Sequence, residues 1–216
     1  MGFGIALFGY ACLLMSGVGG DLFAAILLAY GFFLASRLDN EFLHASISAL
    51  FILPAGVLNL CEIFGLIKPE QAIYPYLNTV TFFLSLAAWF LMSYYWLSAV
   101  VRIANSNNAP KLSRAAKSRL VVTSVYILIT VAVYILKMVD ALGSYSAMAE
   151  VAIFIIRYAV IFYNIFFLHT CFILITSEKQ YEKDKQQLAR EQADALEKAQ
   201  RERAEALERL NRRNKK

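Results

Sequence analysis

Residues 165–190, IFFLHTCFILITSEKQYEKDKQQLAR, decide the fold. Up to Ile175 the side chains are almost all apolar or aromatic; from Glu178 onward charged and amide side chains dominate. Residues 178–216 hold 21 of the chain's 37 charged residues, which leaves 16 for the first 177. The junction separates a lipid-soluble block from a water-soluble rod. The hydrophobic fraction of 59% and the mean hydropathy of +0.54 exceed those of a soluble domain. The fold class read from this is all-α: a polytopic membrane helix bundle over 1–177, followed by a cytoplasmic charged helix over 178–216.

A transmembrane helix needs about 20 mainly apolar residues. Six spans are expected, near 3–18, 22–37, 41–67, 74–102, 119–142 and 147–177. Gly17, Gly19, Gly20 and Asp21 form the turn between the first two, with Asp21 as a helix cap. These two spans are short, and a re-entrant hairpin is the alternative reading; both return the chain to the same side. Gly2, Ala6 and Gly9 share one face of the first, and Ala24, Gly31 and Ala35 one face of the second, a spacing that lets backbones approach closely. Pro54 should kink the third span. Met1-Gly2-Phe3-Gly4 lacks a basic n-region, so the first apolar run is expected to stay in the mature protein.

Orientation follows from basic residues in short loops. The 102–119 segment carries Arg102, Lys111, Arg114, Lys117 and Arg119, whereas no other loop has more than one Lys or Arg. That segment, and with it both termini, should be cytoplasmic. Tyr94, Tyr95 and Trp96 then fall where an interfacial aromatic belt is expected.

At 100° per residue, polar stripes can be placed on the last four spans. They comprise His44, Ser48, Ala55, Asn59 and Glu62; Asn78, Thr81, Ser85 and Ala88; Thr123, Thr130, Tyr134 and Lys137; and Glu150, Arg157, Asn164 and Cys171. Four stripes suggest four faces turned towards one another. The candidate intramembrane polar layer is Glu62, Lys137, Asp140, Arg157, Asn59 and Asn164, with Glu62, Lys137 and Arg157 at depths of roughly 7–15 Å below the outer boundary. An unpaired charge there costs a few kcal/mol or more. Glu62 with Arg157 is the preferred pair, and Lys137 can meet Asp140 along its own helix. The layer reads either as structural bundle pairing or as a ligand or ion site.

Cys12, Cys61 and Cys171 sit in apolar runs without metal-ligand spacing, and His44 and His169 lack nearby carboxylates, so no metal, cofactor or disulfide is expected. No Gly-x-Ser-x-Gly or His/Glu metal motif occurs, and the protein is read as no enzyme. The tail alternates acid and base rather than forming a basic block, which argues against nucleic acid. It has no Gly or Pro, and its acid-then-base pairs four apart, Asp194–Lys198 and Glu205–Arg209 among them, favour a helix. Leu188, Ala199 and Leu210 recur every eleven residues, giving a sparse seam for a weak coiled coil or for docking a soluble partner.

The openings Gly-Phe-Gly-Ile-Ala-Leu-Phe-Gly-Tyr (2–10) and Leu-Ala-Tyr-Gly-Phe-Phe-Leu-Ala-Ser-Arg-Leu (28–38) resemble the start of small uncharacterised multi-pass membrane proteins of Gram-positive bacteria. The resemblance covers about the first 40 residues. It implies a bacterial cytoplasmic membrane and carries no activity and no site residues. The expected function is a non-enzymatic scaffold or signalling component, working through the tail by self-association or partner docking. The alternative is a small-solute or ion transporter using the polar layer.

Overall fold

A computed structural model describes residues 2–175, so the expectations placed on the helix 178–216 lie outside the described residues. The described residues are helical and contain no strand. Met1–Phe172 forms one packed unit. Helix α1 (Gly2–Cys12) runs through a 3-10 turn (Leu13–Val18) into α2 (Gly20–Ala35); α3 (Glu41–Leu50), α4 (Leu53–Ile63), α5 (Tyr74–Ser106) and α6 (Pro110–Met138) follow. Helix α7 covers 146–175.

Four helical segments are long and apolar enough to cross a membrane: Glu41–Ile63, which is α3 and α4 end to end, then Tyr74–Ser106, Pro110–Met138 and Gly143–Ile175. Their outer faces are what lipid would cover; on α6, Val121, Leu128 and Ile135 recur every seven residues and are all exposed. The two apolar helices before them are shorter. The 16 residues of α2 extend about 24 Å, less than a hydrocarbon core of about 30 Å.

Pro54 occupies the first turn of α4, where its missing N–H costs nothing, and the α-helix is interrupted at Phe51 and Ile52, between α3 and α4. The basic segment differs from the expectation of a loop over 102–119. Helix α6 already begins at Pro110, and the connection is only Asn107–Ala109, with Asn108 in the left-handed region at φ 52°. Residues 111–119 are helix formers without Gly, so once Pro110 starts the turn nothing stops it.

The α1–α2 hairpin packs through its small residues. A Cβ on Gly31 would lie 2.6 Å from the Ala6 nitrogen, and one on Gly2 would lie 2.4 Å from the Gly31 oxygen. The backbones touch, which is how apolar helices associate where lipid gives no hydrophobic drive. Gly31→Val should therefore force the pair apart and lower stability in detergent by about 1–3 kcal/mol, read as a fall in thermal midpoint.

Two expectations about this hairpin are corrected. The residue capping α2 is Gly19, at φ 83°, and Asp21 makes no capping bond. The turn needs a left-handed residue, and only glycine takes that conformation freely. Trp96 is no belt residue. It is fully buried, donates Nε1–H to the Tyr10 hydroxyl at 3.1 Å, stacks on Phe32 and tilts against Phe167. The hairpin covers the face of α5 that a two-helix contact would have left to lipid. Of the expected belt, Tyr94 is exposed.

Candidate functional site

The turn of the hairpin is held on one side by α4 and α7. Tyr158 of α7 donates its hydroxyl to the Leu14 carbonyl at 2.8 Å, and Asn59 of α4 donates to the Ser16 carbonyl at 3.3 Å. Backbone outside regular helix has free carbonyls, and at membrane depth these are tolerated only when protein groups satisfy them. Tyr158 lies about 18 Å along α7 from its start at 146. The turn is thus held well below the α6–α7 end of the bundle.

Above the turn is a cavity of about 400 Å³. Its floor is set by Asp21, Asn59 and Arg157, which come from α2, α4 and α7. Asn59 Nδ2 donates to Asp21 Oδ2 at 3.1 Å, and Arg157 Nη2 stands 3.6 Å from Asp21 Oδ1. The Arg157 guanidinium carbon lies 5.9 Å from the ring centre of Trp89. At the mouth Lys137 of α6 pairs with Glu150 of α7. Side-chain exposure orders the two pairs in depth: 11% and 31% for Asp21 and Arg157, against 53% and 54% for Glu150 and Lys137. Between them, Asn78, Thr81 and Ser85 line the α5 side, and Thr130 and Tyr134 the α6 side. Phe82, Trp89, Tyr126 and Phe154 supply aromatic wall. Tyr134 is fixed by a bond to Thr79 at 2.9 Å and by stacking on Phe82.

Members of all four polar stripes read from the sequence line this one cavity. Of the six candidate residues, Asn59, Lys137 and Arg157 do so. Asn164 lies fully buried elsewhere between α7 and α6, donating to Thr123 at 3.4 Å. Asp140 lies beyond the end of α6, in the left-handed region at φ 52°. Glu62 accepts a hydrogen bond from the Tyr74 hydroxyl at 3.0 Å.

The preferred pairing and the contact expected along α6 are both replaced by others. Arg157 faces Asp21 rather than Glu62: of the α4 stripe, Asn59 meets the hairpin while Glu62 meets the start of α5. Lys137 pairs with Glu150 rather than Asp140, because α6 ends at Met138 and Asp140 leaves the helical line on which a pair three residues apart depends. Asp21 was missed as a member of the polar layer. Its signal was the shortness of the first two spans: a turn that does not reach the far surface must leave its one carboxylate inside.

No family model, no curated protein and no solved structure matches this chain.

Proposed function

We propose that the protein is a membrane protein that binds a small polar solute in this cavity, as the receiving site of a transporter. The observation that carries the reading is the pairing of a buried Asp21–Arg157 floor with a half-exposed Lys137–Glu150 mouth across one polar-lined space. Ionisable groups in an apolar bundle are costly unless paired, and helix-to-helix pairing alone needs no cavity between the pairs.

In this reading the α1–α2 hairpin is re-entrant. It enters from the basic side, turns at Gly19–Asp21 and leaves on the same side, so four full crossings replace six. Arg102 bridges Asp39 at 2.8 Å and Glu41 at 3.0 Å, which supports a shared end for the hairpin's exit and the basic segment. Under the positive-inside rule that end, and both termini, are cytoplasmic, and the cavity opens outward. The resemblance of the first 40 residues favours the bacterial cytoplasmic membrane as the location.

The second reading, a non-enzymatic scaffold or signalling component acting through 178–216, rests on the alternating charge of that segment. In it the tail self-associates or docks a soluble partner. Two measurements separate the readings. Ser85 lines the cavity, so Ser85→Cys, with Cys12, Cys61 and Cys171 replaced by Ala, should react with a membrane-impermeant thiol reagent added outside intact cells. That reactivity should survive deletion of 178–216. A Ser85→Cys variant that reacts only after permeabilisation would defeat the outward-facing site.

A further inference from the structure

The charges lining the cavity sum to zero: Asp21 and Glu150 against Lys137 and Arg157. They are unevenly satisfied. Lys137 and Glu150 are in direct contact. Asp21 gives one oxygen to Asn59 and keeps the other 3.6 Å from Arg157, longer than the 2.7–2.9 Å of a charge-assisted hydrogen bond. Among the described residues the Arg157 guanidinium donates no hydrogen bond at all, although it has five N–H donors in a fork suited to a carboxylate. Its carbon instead stands beside the Trp89 face.

From this we infer that the cavity takes a small amino-acid-type zwitterion with an apolar side chain. This rests on the solute-cavity reading above. The ligand's carboxylate occupies the Arg157 fork and its ammonium takes over the free oxygen of Asp21. Arg157 Nη2 and Asp21 Oδ1 stand 3.6 Å apart, close enough for the two charged groups on one ligand carbon to reach both. A lone carboxylate would add a negative charge beside Asp21, and a lone amine a positive charge beside Arg157. Either places like charges together in a site that water only partly reaches, whereas a zwitterion leaves the sum at zero.

The walls fix the rest of the ligand. The cavity is also lined by Leu86, Trp89, Tyr126, Val133 and Phe154, which would surround an apolar or aromatic side chain. Glu150 lies seven residues before Arg157, about 10 Å away along α7, so a single amino acid fits beneath the Lys137–Glu150 mouth. The volume of about 400 Å³ is near the lower end for small-molecule sites and holds no long peptide.

The test uses the purified full chain in lipid nanodiscs with four probes: phenylalanine, leucine, phenethylamine and 3-phenylpropionate. Binding is read by calorimetry and by protection of the Ser85→Cys variant from the thiol reagent. Phenylalanine and leucine should bind and protect, and the amine and the acid should bind at least tenfold more weakly. Arg157→Lys, which keeps the charge that Asp21 needs and removes the fork, should weaken phenylalanine at least tenfold at an unchanged thermal midpoint. Asp21→Asn should bring phenylalanine down towards 3-phenylpropionate. If the acid binds as well as the amino acid, the site is a plain anion site; if the amine does, it is a cation site; either result overturns the inference. A reactive Ser85→Cys thiol that no zwitterion protects also overturns it while leaving the solute-cavity reading intact. A Ser85→Cys thiol that never reacts removes both.

Discussion

Arg157→Gln should destabilise the protein by about 3 kcal/mol, and adding Asp21→Asn should recover most of that loss. Removing one member of a buried ion pair leaves the other charge uncompensated, which typically costs 3–5 kcal/mol; the lower figure applies because the cavity admits some water. Asp21 is the more enclosed partner and, with Arg157 gone, keeps only the single bond from Asn59. For a chain of this length, about 3 kcal/mol corresponds to a fall of roughly 6–12 °C in thermal midpoint. The double variant should return towards wild type because no unpaired charge remains, and the coupling between the two changes should be large. Glu62→Gln provides the contrast. It shares no partner with Arg157, so its effect should simply add to that of Arg157→Gln. A strong Glu62–Arg157 coupling in the same measurement would reject the arrangement of the floor.

Trp96→Ala should have the other large effect, about 3–5 kcal/mol, by opening a void where α1, α2, α5 and α7 meet. Trp96 is fully buried and contacts Tyr10, Phe32 and Phe167 through its ring. Trp96→Phe should cost much less, about 1 kcal/mol, mainly for the lost bond to the Tyr10 hydroxyl. The decisive control is Tyr94→Ala on the same helix, whose side chain is exposed and should change stability little. Equal losses at 94 and 96 would mean that the hairpin does not dock on α5 as described.

The apolar character of 1–177 and the change at 178 were legible because lipid demands helices with internally satisfied backbones and excludes charge. The faces of the longer helices were legible too, since a fixed 100° step converts spacing directly into direction. That is why Asn59, Thr81, Ser85, Thr130, Lys137 and Arg157 could be assigned to inward stripes before any contact was known. The small-residue faces of α1 and α2 were readable for the same reason, and Gly31 and Ala6 do meet.

What the sequence could not supply is how each helix is placed along its axis against its neighbours, because periodicity gives angle and not depth. The depth of the hairpin turn places Asp21 beside Arg157, and the seating of α4 against the hairpin brings Asn59 rather than Glu62 to join them. The early end of α6 gives Lys137 to Glu150 instead of Asp140, and the docked hairpin turns Trp96 from a candidate surface residue into core. Local sequence therefore set the apolar helices and most of their inward faces. Only the packing of α1 to α7 against one another, with its close backbone contacts and its cost for any uncompensated charge, decided which polar groups share a site.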